Sequence, residues 1–487
     1  MRKAGILMPL ASLPSPYGIG TMGEEAKKFV DFLYDTEQYY WQVLPLNPTS
    51  YGDSPYQSPS AFAGSPYYID LPTLAKKGLI TDEELKNAEH DTERIDYGYM
   101  FNERIALLRK AFSRFDVNDY DYVCFKADQG SWLTEYSVFM ALKVKHGYVS
   151  WDNWQEKYKF RRDFDSIVAE TKDESEFWCF LQYEFYSEWL ALKKYANSKG
   201  IEIIGDMPIY VAYDSVEVWS NPKAFLLTED LNPTIVAGCP PDGFSPDGQL
   251  WGNPIYDWSK MKADGYAWWI ERVKRAIVLF DIVRIDHFRG FEAYYGIPFG
   301  DKTARNGKWY KCVGAEPFEA INKALNHPRI IAEDLGQIDD DVKAVLTKTG
   351  YPGMKVLQFA FFEDNNEYLP RMYTTDNCVV YTGTHDSYTT EQWAEDLEKG
   401  GDVEKRFLKE CKKSPKESYT DAMIRLALGS IAKYVIIPLG DYMNLGKEAR
   451  INEPSTLGGN WDWRVQADYD TPALRKKINR LTAKSGR

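Results

Sequence analysis

LFDIVRID, residues 279–286, is a short apolar run that stops on Arg284 and Asp286. Continuous rather than alternating hydrophobicity over so few residues reads as a strand buried on both faces, as in a parallel sheet covered by helices. The same pattern recurs in AGILMPL (4–10), YYWQVLPL (39–46), IEIIGDMPIY (201–210), RIIAEDLG (329–336), MKVLQFAF (354–361), NCVVYTGTHD (377–386) and AKYVIIPLGD (432–441). Helical patterns such as EEAKKFVDFLYD and YAWWIERVKRAIVL lie between them. Strands of this kind alternating with helices predict an α/β fold, a (β/α)8 TIM barrel.

One gap is too long for a single crossover. Residues 75–197 are rich in charge and aromatics, with helical stretches FNERIALLRKAF and FWCFLQYEFYSEWLALKKYA. They read as a mostly helical insertion that interrupts the barrel. No Gly/Ser-rich linker or repeat divides residues 1–487, so the chain is expected to be one catalytic barrel carrying that insertion.

Composition removes several classes of function. The 487 residues carry 59 Lys and Arg against 72 Asp and Glu, a formal charge of −13, which leaves no basic face for a phosphate backbone. No run approaches the roughly 18 apolar residues of a membrane span, and MRKAGILMPLAS followed by LPSPYG is too short and Pro-rich for a signal peptide. The six cysteines form no CxxC pair, which fits reduced thiols better than a zinc or disulfide framework. A cytoplasmic protein that binds neither nucleic acid nor a membrane is the expectation. Aromatics reach 15%, with 15 Trp and 34 Tyr. Their flat apolar faces and polar edges suit sugar rings as well as a core.

The predicted strand ends carry acids. Asp286 ends the fourth, Glu333 and Asp334 the fifth, and Asp386, beside His385, follows the seventh. In such a barrel, catalytic side chains occupy the C-terminal ends of the strands. One acid at a strand end commonly caps the next helix. Three converging acids raise one another's pKa, an arrangement that glycoside cleavage exploits. One carboxylate attacks while another donates a proton, about 5–5.5 Å away in retaining enzymes. Neighbouring strands, roughly 4.8 Å apart, supply that separation. Arg284 is placed to keep Asp286 ionised, and His385 to bind a sugar hydroxyl.

RIDHFRG (284–290), IIAEDLG (330–336) and YTGTHDSYTT (381–390) resemble the signature segments of the amylomaltases, the 4-α-glucanotransferases or disproportionating enzymes of the α-amylase superfamily. The resemblance extends through GDSPYQSPSAFAG (52–64), GDMPIYVAYDSVEVW (205–219) and PPDGFSPDGQLWGNPIYDW (240–258). It implies retaining transfer of α-1,4-glucan segments without a metal or organic cofactor. Maltooligosaccharides or starch- and glycogen-derived glucans would be donors, and glucose or an oligosaccharide the acceptor. By the same resemblance Asp286 is the nucleophile, Glu333 the general acid/base, and Asp386 the acid that grips the distorted donor sugar. Arg284, His385, Tyr56 and Asp214 are the expected polar contacts of that subsite, and Asp334 a structural acceptor. One departure stands out: Ser455, in NEPSTLGGNWDWR (452–464), occupies the place of a glycine common in the family.

Transfer rather than hydrolysis requires an acceptor sugar held where water is excluded. The Pro- and Gly-rich segment 240–254 is expected to be a loop, with Phe244 and Trp251 offering stacking faces and Gln249 a hydrogen bond. GIGTMG (18–23) matches the dinucleotide fingerprint, but two prolines separate it from the preceding strand and no acid follows for a ribose. The competing readings are an α-glucan hydrolase and an inactive glucan-binding protein, the second disfavoured because all three acids are present.

Overall fold

The computed structural model describes residues 2–241, 245–336 and 338–487. Its strands, in chain order, are β1 (Lys3–Leu7), β2 (Tyr40–Gln42), β3 (Glu202–Met207), β4 (Ile235–Cys239), β5 (Gln249–Pro254), β6 (Ile282–Ile285), β7 (Ala293–Pro298), β8 (Lys308–Lys311), β9 (Ile330–Ala332), β10 (Gly353–Val356), β11 (Cys378–Tyr381) and β12 (Tyr434–Pro438).

Eight of these form one parallel sheet in the order β10-β11-β12-β1-β2-β3-β6-β9. Each lies within, or overlaps, one of the eight apolar runs. The Ala332 N–H donates to the Pro352 carbonyl (3.0 Å) and the Met354 N–H to Asp334 Oδ1 (2.6 Å), joining β9 to β10. The sheet thereby closes into the expected (β/α)8 barrel. Ile6, Ile204, Val283, Ile331, Val380 and Ile436 are fully buried, the burial that their unbroken hydrophobicity foretold. Close packing extends to the backbone. A Cβ on Gly205 would meet the Phe280 ring at 2.1 Å, so a larger residue just before Asp206 would displace the strand end that carries it.

Between β2 and β3 no strand interrupts residues 75–197. The long helices Tyr120–Lys145 and Lys172–Ser198 pack together through Tyr122, whose ring meets Tyr183 at 5.4 Å and whose hydroxyl donates to Glu176 (2.7 Å). The second helix has two partners. Its first half faces the insertion, whereas the Trp189 indole N–H donates to the Leu279 carbonyl (2.9 Å) and the Tyr195 hydroxyl to Asp31 (2.7 Å) on the barrel. It then leads into β3, so one helix is both part of the insertion and the crossover.

A second sheet, antiparallel in the order β5-β4-β7-β8, stands beside the C-terminal mouth of the barrel. This corrects the expectation that 240–254 is wholly loop, because Gln249–Pro254 forms β5. Its glycine and proline are tolerated because β5 is an edge strand, where an absent N–H and a positive φ at Gly252 (+78°) break no second ladder.

Acid Asp334 is half-buried where the barrel closes, and partial burial raises it to about 6 against the pull of the Met354 N–H. A folded-state value above the ordinary carboxylate range means the folded protein holds this proton longer. The stabilisation is complete at low pH and is lost as pH rises through about 6. Asp334→Asn keeps the acceptor without the charge. Its stability relative to wild type is expected to improve by on the order of 2 kcal/mol between pH 5 and 8, measured by urea unfolding. A pH-independent difference would refute this assignment.

Candidate active site

The register of β6 against β9 pairs Ile285 with Ala332, so Asp286 and Glu333 are the next residues on adjacent strands. The Glu333 N–H donates to the Ile285 carbonyl (3.0 Å) and the Asp286 N–H to the Met207 carbonyl (3.0 Å), fixing both backbones. Past Asp286 the chain turns sharply at His287, whose φ is +50°. This turn aims the His287 N–H at Glu333 Oε2 (2.6 Å), while the Leu335 N–H reaches Oε1 (2.8 Å). The strand that carries Asp286 therefore helps to hold the second acid.

Arg284 is buried at the base of the cluster. Its Nη1 lies 2.7 and 2.6 Å from the two oxygens of Asp206, and 3.1 Å from Asp286 Oδ1. Tyr56 donates its hydroxyl to Asp206 Oδ2 (2.9 Å), and the Tyr56 hydroxyl oxygen lies 2.9 Å from His385 Nε2. The hydroxyl has one proton, so with Asp206 as its acceptor His385 Nε2 is the donor in the second contact. His385 Nε2 is also 3.2 Å from Asp386 Oδ2, and the Asn452 amide donates to Asp386 Oδ1 (2.6 Å). The Tyr56 and His385 rings stack at 5.2 Å, with Trp461 against both.

The environments separate the three acids. Burial raises Asp286 to about 7, opposed by Arg284 and reinforced by Asp206, Glu333 and Asp386. Burial also raises Glu333, against Arg284 and its two N–H donors. Asp386 goes the other way. Burial would raise it, but the His385 imidazole and the Asn452 amide hold it down at about 2. His385 is raised because its carboxylate neighbour outweighs burial. The side chains of Asp286 and Asp386 remain 26% and 44% exposed, so the cluster opens to a ligand.

Facing these acids is the edge strand β5. Gln249 and Trp251 are two residues apart and share a face, and the Trp251 indole N–H donates to Gln249 Oε1 (3.0 Å). The Trp251 ring meets the His287 ring edge-on at 4.8 Å, immediately beside Asp286. Phe244 lies outside the described residues.

The structure thus brings together Asp286, Glu333, Asp386, Arg284, His385 and Tyr56, with Trp251 and Gln249 alongside. It does not bring Asp214 to them. That carboxylate is paired with Lys143 (2.5 Å) and accepts the Trp151 N–H (3.2 Å), both from the helical insertion. The carboxylate that actually faces Arg284 and Tyr56 is Asp206. It is the penultimate residue of β3, an acid in the run IEIIGDMPIY, and the strand-end rule applied to that run finds it. Asn452 had no such signal, because it reaches Asp386 from a remote loop. That loop also explains Ser455: its φ is +67°, the left-handed region that glycine adopts freely and serine adopts at a cost of about 1 kcal/mol. Among the described residues no group of three or more His, Cys, Asp or Glu could hold a metal ion, and no helix is long and apolar enough to cross a membrane.

Three comparisons bear on this geometry. A family model described as 4-alpha-glucanotransferase matches residues 8–470. The 4-alpha-glucanotransferase of Clostridium butyricum is 49% identical over 99% of this chain and 100% of its own length, and that of Streptococcus pneumoniae (strain TIGR4) is 44% identical over 99% and 96%. Amylomaltase from Streptococcus agalactiae, solved in complex with acarbose, superposes with a TM-score of 0.96 at 38% identity, covering 100% of each chain.

Proposed function

Because this chain belongs to the 4-alpha-glucanotransferase family and is an enzyme of that activity, we propose that it moves α-1,4-glucan segments between maltooligosaccharides by a retaining double displacement. The observation that carries the mechanism is the asymmetry around the two central acids. Asp286 has the Arg284 guanidinium at 3.1 Å, whereas Glu333 is held by uncharged backbone N–H donors. Since burial disfavours a second charge, the anion is placed on Asp286 and the proton on Glu333.

In the first step an oxygen of Asp286 attacks the anomeric carbon of the donor sugar. The bond to the leaving O4 breaks as Glu333 protonates that oxygen, and the shortened glucan departs. In the second step Glu333 takes the proton from the O4 hydroxyl of an acceptor, whose oxygen displaces Asp286. Two inversions give net retention. Asp386, held ionised, grips the hydroxyls of the donor sugar as it flattens towards the transition state, with Tyr56 and His385 beside it, while the buried Arg284–Asp206 pair fixes Tyr56 and Asp286 from below. Gln249 and Trp251 form the wall against which the acceptor sits.

Maltotriose incubation tests this reading. Transfer yields glucose plus chains longer than the substrate, while hydrolysis yields only shorter sugars. In Trp251→Ala the transfer rate is expected to fall roughly tenfold further than the hydrolysis rate, since water needs no stacking face. Equal loss of the two activities would sink the role of Trp251 as acceptor wall.

A further inference from the structure

Tyr56 and Gln57 are adjacent in the chain but face different halves of the site. Tyr56 belongs to the donor cluster through Asp206 and His385. The Gln57 side-chain amide instead crosses to β5, where Nε2 donates to the Trp251 carbonyl (3.3 Å) and to Asn253 Oδ1 (3.2 Å). An amide nitrogen has two protons, so both bonds are satisfied at once. The positive φ of Gly252, between the two acceptors, turns the strand where the Trp251 carbonyl and the Asn253 side chain converge on one donor. Asn253 is buried, and its own amide donates to the Val211 carbonyl (2.8 Å) in the segment leaving β3.

β5 is an edge strand, bonded through its ladder on one side only. The Gln57 amide is a tie from its other flank to the catalytic mouth, made at the very residue that carries the indole. We propose that Gln57 is a positioning residue for acceptor transfer: it fixes the backbone of Trp251 to the loop that holds Tyr56, so that the acceptor wall stands at a set distance from the donor sugar. The inference rests on Trp251 forming that wall. Without the tie, the indole drifts from the line of attack, and water resolves the covalent intermediate more often than a sugar does.

The test uses Gln57→Glu, which keeps size and shape but replaces the donor with a carboxylate facing two acceptors, alongside Gln57→Ala and Trp251→Ala. Each is incubated with maltotriose and labelled glucose, and the fraction of intermediate captured by water is read against that captured by sugar. This ratio does not depend on how much enzyme is folded. Both Gln57 variants are expected to raise the water fraction roughly fivefold and the KM for acceptor glucose by a similar factor, while the KM for maltotriose as donor moves less than about twofold. General loosening of the 54–57 loop would instead raise the donor KM too, through Tyr56, and that result overturns the proposal. So does a ratio in Gln57→Glu within about twofold of wild type while Trp251→Ala shifts it. If Trp251→Ala leaves the ratio unchanged as well, the failure lies in the acceptor wall itself.

Discussion

Asp286→Asn is expected to slow maltotriose disproportionation by about 10⁴-fold, or ~5 kcal/mol of barrier at 1.36 kcal/mol per tenfold. A neutral amide oxygen is a poor nucleophile, and nothing else at the end of β6 replaces it. The fold should survive, because Arg284 keeps both oxygens of Asp206. Stability should in fact improve. Asp286 is raised to about 7 by burial, so the free folded state holds its proton until neutral pH, and the anion that attacks is the form that Arg284 stabilises above that pH. Its stabilisation is present at low pH and is lost as pH rises through about 7, above which a buried charge must be maintained. Removing that charge is therefore expected to make Asp286→Asn more stable than wild type by on the order of 2 kcal/mol at pH 8, and no more stable at pH 4. Single-turnover kinetics and urea unfolding at the two pH values check both halves. A rate within tenfold of wild type would remove Asp286 from the nucleophile's role.

Glu333→Gln is expected to lower turnover of maltotriose by roughly 10²–10⁴-fold, the range for loss of a positioned acid/base. The effect should depend on the donor. With a maltosyl fluoride, whose leaving group needs no proton, the first step is spared and the second is not, since no base remains to deprotonate the acceptor. The glycosyl ester on Asp286 then accumulates and is visible by mass spectrometry, and added azide, an anion that needs no base, restores turnover. The pH profile should change in one direction. Glu333 must carry its proton in the first step, and burial raises its pKa. The wild-type rate therefore falls on the alkaline side as that proton is lost, and Glu333→Gln lacks that limb. A fluoride donor as impaired as maltotriose would contradict the acid role.

The barrel strands were legible because their signal is local. A run such as VVYT or VIIP declares two buried faces by its own composition, wherever its neighbours lie. Two of the acids were legible for a related reason: strand ends can be read from where the apolar run stops, and Asp286 and Glu333 stand directly after theirs, whereas Asp386 lies in the loop five residues beyond Tyr381, the end of β11. Asp206 obeys the same rule, whereas the family resemblance points to Asp214, eight residues later in the same segment. The two differ only in their partners, Arg284 and Tyr56 for one, Lys143 and Trp151 for the other. Nothing in either local sequence names those partners.

β5 marks the opposite limit. Its Pro and Gly argue against a strand, and propensity was overridden because β4 offers it an edge and the Gln57 amide holds its other flank. The long helix Lys172–Ser198 was visible as a helix, but its double role as insertion element and barrel crossover came only from what each half touches.

By itself, then, the sequence determined the barrel strands, the helical character of the stretch between β2 and β3 and the acids that follow β6 and β9, all properties that hydrophobic periodicity and its interruptions encode locally. The tertiary structure decided which charge sits beside which acid, that Asn452 reaches Asp386 across 66 residues of chain, and that Gln249–Pro254 pairs with β4 as an edge strand. Those outcomes depend on pairings between distant segments, where burial and a single hydrogen-bond partner set the pKa and the position of a side chain, and no local pattern records them.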